Sequence, residues 1–270
     1  MKLFFIFFGI TCCISFFLIL EMVKIHHYYK NGFISVLDVE EGDATFIITP
    51  GKQKILIDGG KGNTIIKKLG QYLSFFDKQI DLIIITSPDN RNLPDIIEIL
   101  HRYTVQRIIL NVSHTNKAPI YGEFLSLIRK KNIELHVLSG NKDIRFTPNF
   151  IVDVIDPGLI FSSQGLPQSS FFRFFINGNP KFLFLNDTDS AIQKQILTRD
   201  YNIKTETLKI GQQGDKKFLL NELLKAINPK KSVISVDKNN TNGYPHYETI
   251  EKLRNTLIKI THNEGDIRLL

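Results

Sequence analysis

The sequence predicts an α/β fold in which two β-sheets pack face to face with helices outside, preceded by a separate apolar segment. Three observations carry this. Hairpin-like strands open the body, strands then alternate with helices, and a β-rich stretch interrupts that alternation in the middle. With 270 residues, of which 43% are apolar and 23% charged, the chain can bury one large core.

Residues 1–30 stand apart from the body, which runs over 31–270. Leu3 to Leu20 holds no charge and is rich in Phe, Ile and Leu. As a helix it reaches about 27 Å, close to the hydrocarbon thickness of a bilayer. A cleaved secretory signal is the rival, but Glu21-Met22-Val23-Lys24 follows the run and no Ala-x-Ala pattern does. The expectation is one N-terminal transmembrane helix, with the membrane contacted through residues 3–20. Lys24 and Lys30 after the run argue for a cytoplasmic body. A start-of-chain signal anchor argues for the extracytoplasmic side, which is the side expected here.

In the body, Ile34–Asp38 and Ala44–Thr49 alternate around Glu40-Glu41-Gly42-Asp43 and read as a hairpin. Lys54–Asp58 is a third strand, ended by Gly59-Gly60. Thr64–Leu73 has helical spacing, with Ile65, Ile66, Leu69 and Leu73 on one face. Asp81–Thr86 is a strand of the fully buried type and Leu93–Arg102 a helix. Strand Arg107–Asn111, helix Ile120–Lys131 and strand Glu134–Leu138 continue the alternation. The β-rich middle comprises Ile144–Thr147, Phe150–Ile155, Phe171–Ile176 and Lys181–Leu185. Helix Ala191–Thr198, strand Thr207–Ile210, helix Lys217–Ile227, strand Lys231–Val236 and helix Tyr247–Thr256 follow. Two strands, Ile258–Thr261 and Ile267–Leu270, flank a turn at Asn263-Glu264-Gly265-Asp266.

Lys and Arg outnumber Asp and Glu by 34 to 27, and by 31 to 26 within the body. That balance suits an anionic partner, either nucleic acid or a membrane surface. Cys12 and Cys13 are the only cysteines and lie in the apolar run, so the body has neither a disulfide nor a cysteine-based zinc site.

Six segments, in order, resemble the C-terminal domain of the ComEC family, the DNA-uptake channel proteins of competence. Val36-Leu37-Asp38-Val39-Glu40-Glu41-Gly42-Asp43-Ala44 is similar to that family's V-L-D-V-G-Q-G-D-A. Ile55–Gly60 resembles L-I-D-G-G, and Gln168-Ser169-Ser170-Phe171 resembles N-x-S-S-L. Phe182–Asp187 looks like L-L-T-G-D, Leu208–Gly214 like L-K-V-G-H-H-G, and Ser235–His246 like S-V-G-x-N-N-x-Y-G-H-P-H. The resemblance implies the metallo-β-lactamase fold, a four-layer αββα sandwich. In that family it also implies a divalent-metal site whose activated water attacks a phosphodiester.

The ligand positions that the resemblance implies are mostly replaced. The loop written H-P-D-A-D-H in the family reads Ser87-Pro88-Asp89-Asn90-Arg91-Asn92 here. Ser87 and Asn92 stand at histidine positions and Arg91 at an aspartate position. A guanidinium is always charged and has no lone pair to donate, so it repels a divalent ion. Gln212 and Gln213 replace a His-His pair, and Tyr244 replaces the histidine before Pro245. Asp89 and Asp187 survive, and His246 is a weak third candidate at the rim. This set disfavours zinc. No cofactor is expected, with Mn²⁺ or Mg²⁺ on the two aspartates as the alternative. Arg91 paired with Asp89 or Asp187 could fill the cation's place.

Asp58, heading the Gly59-Gly60 turn, reads as a carboxylate that caps backbone N–H groups of that loop. His101, His114, His136 and His262 show no metal-ligand spacing. Lys216-Lys217, Lys230-Lys231 and Arg129-Lys130-Lys131 could contact phosphates, although solvated helix ends carry the same residues. Two functions remain open. One is a metal-free, non-catalytic binding protein at the membrane, partnered by nucleic acid or by a separate channel protein. The other is a divalent-metal-dependent, nuclease-like hydrolase acting in DNA uptake.

Overall fold

The computed structural model describes residues 2–29, 32–40, 42–62, 64–87, 92–111, 119–138, 142–155, 170–186, 188, 190–199, 201–237 and 239–269. In the opening helix, side chains are described at 5–20, 22 and 23.

The body contains two seven-stranded sheets. The first comprises β1 (Phe33–Val36), β2 (Thr45–Ile48), β3 (Lys54–Ile57), β4 (Gln79–Ile85), β5 (Thr104–Leu110), β6 (Glu134–Val137) and β14 (Ile267–Arg268). The second comprises β7 (Lys142–Thr147), β8 (Phe150–Ile155), β9 (Phe171–Ile176), β10 (Asn179–Phe184), β11 (Thr207–Ile210), β12 (Lys231–Ile234) and β13 (Leu257–Ile260). Spatial order is β14-β1-β2-β3-β4-β5-β6 in the first sheet and β13-β12-β11-β10-β9-β8-β7 in the second.

Side-chain alternation builds the layers. Ile55 and Ile57 point inward with Ile34, Val36, Leu82 and Ile84, while Leu56 and Ile83 point out toward α2 (Thr64–Tyr72), α3 (Leu93–Arg102) and α4 (Pro119–Lys130). The second sheet answers with an inner face rich in phenylalanine: Phe150, Phe172, Phe174, Phe182 and Phe184. Phe182 and Phe184 meet edge to face at 5.2 Å, and each such ring contributes about 1.5–3 kcal/mol by burial. On the outer face of that sheet, Leu183, Leu208 and Ile234 pack against α5 (Ser190–Thr198), α6 (Asn221–Ile227) and α7 (Tyr247–Leu253). The layer order is helix, sheet, sheet, helix, as expected.

Strands β3 to β6 run parallel, as do β10 to β13. All therefore finish at one end of the sandwich and begin at the other. The intervening helices return toward the beginning end.

Two expectations change. Predicted helix Lys217–Ile227 is a short 3-10 turn at Lys216–Phe218 followed by α6, because Leu219 and Leu220 leave the helix in extended conformation. The turn expected before the last strand is a single helical turn, α8 (Thr261–Glu264). The N-terminal segment forms α1 (Lys2–Tyr29), a continuous helix. Among the described residues no helix is long and apolar enough to cross a membrane. Phe7, Phe16 and Ile19 are nevertheless exposed on different sides of that helix.

Candidate functional site

The loops that follow the parallel strands carry the described sequence-predicted positions: Ser87 and Asn92 after β4, Gln212 and Gln213 after β11, and Tyr244 and His246 after β12. Asp58 ends β3 with a left-handed backbone, φ 53°. Its carboxylate accepts the Thr86 N–H at 2.8 Å and the Thr86 Oγ1 hydroxyl at 2.6 Å. It therefore fastens the end of β4, a partner that its place beside Gly59-Gly60 did not indicate. Thr86 leads directly into Ser87, which is half-buried. Asn92 donates from Nδ2 to the Ser87 carbonyl oxygen at 3.0 Å. Asp89, Arg91 and Asp187 lie outside the described residues, as does His114, so the expected ion pair at Arg91 does too.

The loop after β11 belongs to the other sheet. Gln212 and Gln213 both have positive φ, 47° and 52°. Gln213 Oε1 accepts the backbone N–H of Asp237 at 3.1 Å, so its amide oxygen is committed to the loop after β12. Gly214 (φ 80°) packs on Pro245, and a Cβ at Gly214 would lie 2.6 Å from that proline's Cβ. The Tyr244–Pro245 bond is cis, and Asn240 holds Tyr244 through its backbone N–H at 2.6 Å.

Tyr244 and His246 meet edge to face at 5.1 Å. The Tyr244 hydroxyl lies 3.5 Å from Asp215 Oδ2. Burial, with the Asp215 charge second, raises the phenol's pKa. His246 Nδ1 accepts the Lys216 N–H at 3.1 Å, which places the proton of the neutral ring on Nε2. Glu248 pairs with Lys216 at 2.9 Å; that hydrogen bond lowers the carboxyl pKa and raises the amine's. His101, His136 and His262 are exposed elsewhere, on α3, β6 and α8.

Two residues that the sequence reading did not single out hold the loops. Lys209 of β11 is buried on the inner face, where its Nζ donates to Asp43 Oδ1 at 2.6 Å and to the Ile210 carbonyl at 3.1 Å. Asp43 belongs to the first sheet's opening loop, and its carbonyl accepts the Gly60 N–H at 2.9 Å. A chain of contacts thus joins the loop after β11, through Lys209, Asp43 and the Asp58 turn, to Thr86. Gln193 of α5, fully buried, donates to Thr188 and Phe218 carbonyls and accepts the Leu220 N–H. Lys209 does fall inside the segment resembling L-K-V-G, so a signal was there; nothing in the sequence marks Gln193.

Among the described residues no three His, Cys, Asp or Glu side chains converge as metal ligands. The described positions here offer amides, a phenol, a hydroxyl and the His246 imidazole beside Asp215; zinc takes imidazole, thiolate or carboxylate, and the described residues bring no three of these together.

Solved structures share the fold of this chain, two of them as follows. The first is Igni18, a metallo hydrolase from Ignicoccus hospitalis, with TM-score 0.50 and 13% identity over 88% of this chain and 99% of that one. The second is Zn²⁺-bound PqqB from Methylobacterium extorquens, with TM-score 0.54 and 9% identity over 85% of this chain and 86% of that one. The fold is the metallo-β-lactamase fold.

On this metallo-β-lactamase frame the chain is also similar to ComE operon protein 3 of Bacillus subtilis (strain 168), with 22% identity over 284 residues. The match covers 96% of this chain and 35% of that protein, so the chain spans about a third of its relative's length. No family model matches the chain.

Proposed function

We propose that this chain is a membrane-anchored binding protein on a metallo-β-lactamase frame, related to DNA-uptake proteins, whose site works without a metal. One observation carries the reading most directly: Gln213, at an expected imidazole position, uses its amide oxygen to hold the loop after β12. An amide so engaged is not available to a cation. The sequence adds a guanidinium, Arg91, to the loop that should grip the ion.

The anchor reading rests on α1. A helix that is apolar on every side and exposed along its length calls for a hydrocarbon surrounding. The body then sits on the extracytoplasmic side, beside nucleic acid or a separate channel protein.

The test is elemental analysis of the purified full chain, with a DNA cleavage assay with and without Mn²⁺. Substoichiometric metal and no cleavage are the expected results. A stoichiometric ion, or Mn²⁺-stimulated cleavage abolished by Asp187→Ala, returns the hydrolase reading.

A further inference from the structure

The end of the sandwich opposite the site has its own chemistry. Between α2 and β4 the chain turns through Ser74–Lys78, and the turn presents Phe75 and Phe76, 65% and 69% exposed. Their rings meet edge to face at 5.3 Å. The turn is pinned rather than loose. The Asp77 N–H bonds to the Ser74 carbonyl at 3.0 Å, and the Asp77 carboxylate takes Lys54 Nζ at 2.8 Å. Lys78 Nζ stands 5.6 Å from the Phe75 ring centre and 5.5 Å from that of Tyr103. Two adjacent phenylalanines held out in this way, with a cation beside them, match the composition of an interfacial membrane contact.

Topology gathers basic residues at the same end. Helices that return toward the start of the parallel strands deliver Arg102 from α3 and Lys130-Lys131 from α4. Lys230 precedes β12 on the second sheet. The two sheets begin at a common end, because Gly51 of the β2–β3 turn abuts Thr147 of the β7–β8 turn. Several carboxylates here already have partners: Glu98 with Arg102, Glu134 with Arg107, and Glu206 with Lys181. Lys130, Lys131 and Lys230 are exposed. Two of the three basic runs noted in the sequence therefore share this end, while Lys216-Lys217 lies at the other.

The apolar helix also joins here. β1 runs parallel to β3, so Phe33 marks its beginning at this end. From Leu20, where the uncharged run ends, nine helical steps of about 14 Å in all lead to Tyr29, and four further steps, a reach of at most about 14 Å, lead to Phe33. A bilayer holding α1 thus meets this end first.

We propose that this basic, phenylalanine-tipped end lies on an anionic bilayer, with the Phe75–Phe76 turn entering the lipid interface. The proposal rests on α1 being embedded in the same membrane. Apolar insertion of the turn and attraction of the lysines to lipid phosphates act together, each basic group near the surface contributing to binding. Nucleic acid explains the lysines but leaves the paired phenylalanines and the nearby apolar helix without a role.

The chain contains no tryptophan, so single substitutions make clean reporters in the full-length protein. Phe76→Trp reports on the turn, Phe16→Trp on α1, and Tyr247→Trp on the opposite end, where that side chain is 73% exposed. Each is reconstituted into phosphatidylcholine vesicles with and without phosphatidylglycerol, using brominated acyl chains as quencher. The expected result is blue-shifted, quenched emission from Phe76→Trp, stronger with phosphatidylglycerol and reduced by Lys130→Glu with Lys131→Glu. Tyr247→Trp should stay unquenched. Quenching of Phe16→Trp without Phe76→Trp overturns the proposal and leaves the anchor standing. Quenching of neither removes both. A response of Phe76→Trp to a DNA oligonucleotide but not to lipid assigns the surface to nucleic acid and also overturns it.

Discussion

Gly214 sits where a side chain has no room. Its φ of 80° is one that L-residues avoid, and Pro245 blocks the Cβ position. Gly214→Ala should therefore lower stability by about 1–3 kcal/mol, read as a shift of the urea midpoint. Lys209 presents the opposite case, a buried cation with one carboxylate. Removing it in Lys209→Met leaves Asp43 inside the mouth of the sandwich without its counter-charge. Because Asp43 keeps 23% of its side chain exposed, the expected loss is about 2–3 kcal/mol, below that of a fully buried broken pair. Adding Asp43→Asn should recover part of it, as a double-mutant cycle by thermal unfolding would measure. The identities at the candidate site were legible in the sequence, since Gln213 and Tyr244 stand where the matched motifs have histidines. Their engagement was not. No sequence pattern says that Gln213 bonds across to Asp237, or that Asp58 holds Thr86, because both contacts depend on the register of neighbouring strands.

At the level of elements, buried parallel strands such as Leu-Ile-Ile-Ile in β4 announced themselves by composition, and the helices by their spacing. Element edges slipped where a short 3-10 turn replaced an expected helical turn, at Lys216–Phe218. Local propensity weighs little there against the Lys217 N–H capped by Asp215 at 3.0 Å. The starts of β10, β11 and β12 are also tied by charge. Glu206 accepts from Lys181 at 2.6 Å, with Lys231 at 3.7 Å. The hydrogen bond from Lys181, with the lysine charges, holds the Glu206 carboxyl below its usual pKa. A depressed carboxyl pKa stabilises the fold above the unfolded-state value, and that contribution fades as pH falls through the folded value. Glu206→Gln should therefore lower the melting temperature at pH 7 and cost progressively less as the pH drops through the carboxylate range. An unchanged difference between pH 7 and the acid end would count against this pairing.

For the whole molecule, the layered architecture could be read from the order of strands and helices, but the partnership of the outermost strands could not. The sequence gives no reason why the last two strands should separate, β13 joining the second sheet and β14 the first. In the fold, Val36 lies opposite Ile267 and Ser35 opposite Arg268, and the Asp38 N–H donates to Asp266 Oδ1 at 2.9 Å. During synthesis β1, the strand nearest α1, therefore waits for β14 at Ile267–Arg268 to emerge before its free edge is covered. Until then the chain carries that edge, buried along its whole length in the finished fold, as an adhesive seam close to the end of α1. Completion of the first sheet is then a late event, and until it happens neighbouring copies on a crowded surface are the nearest competitors for that seam.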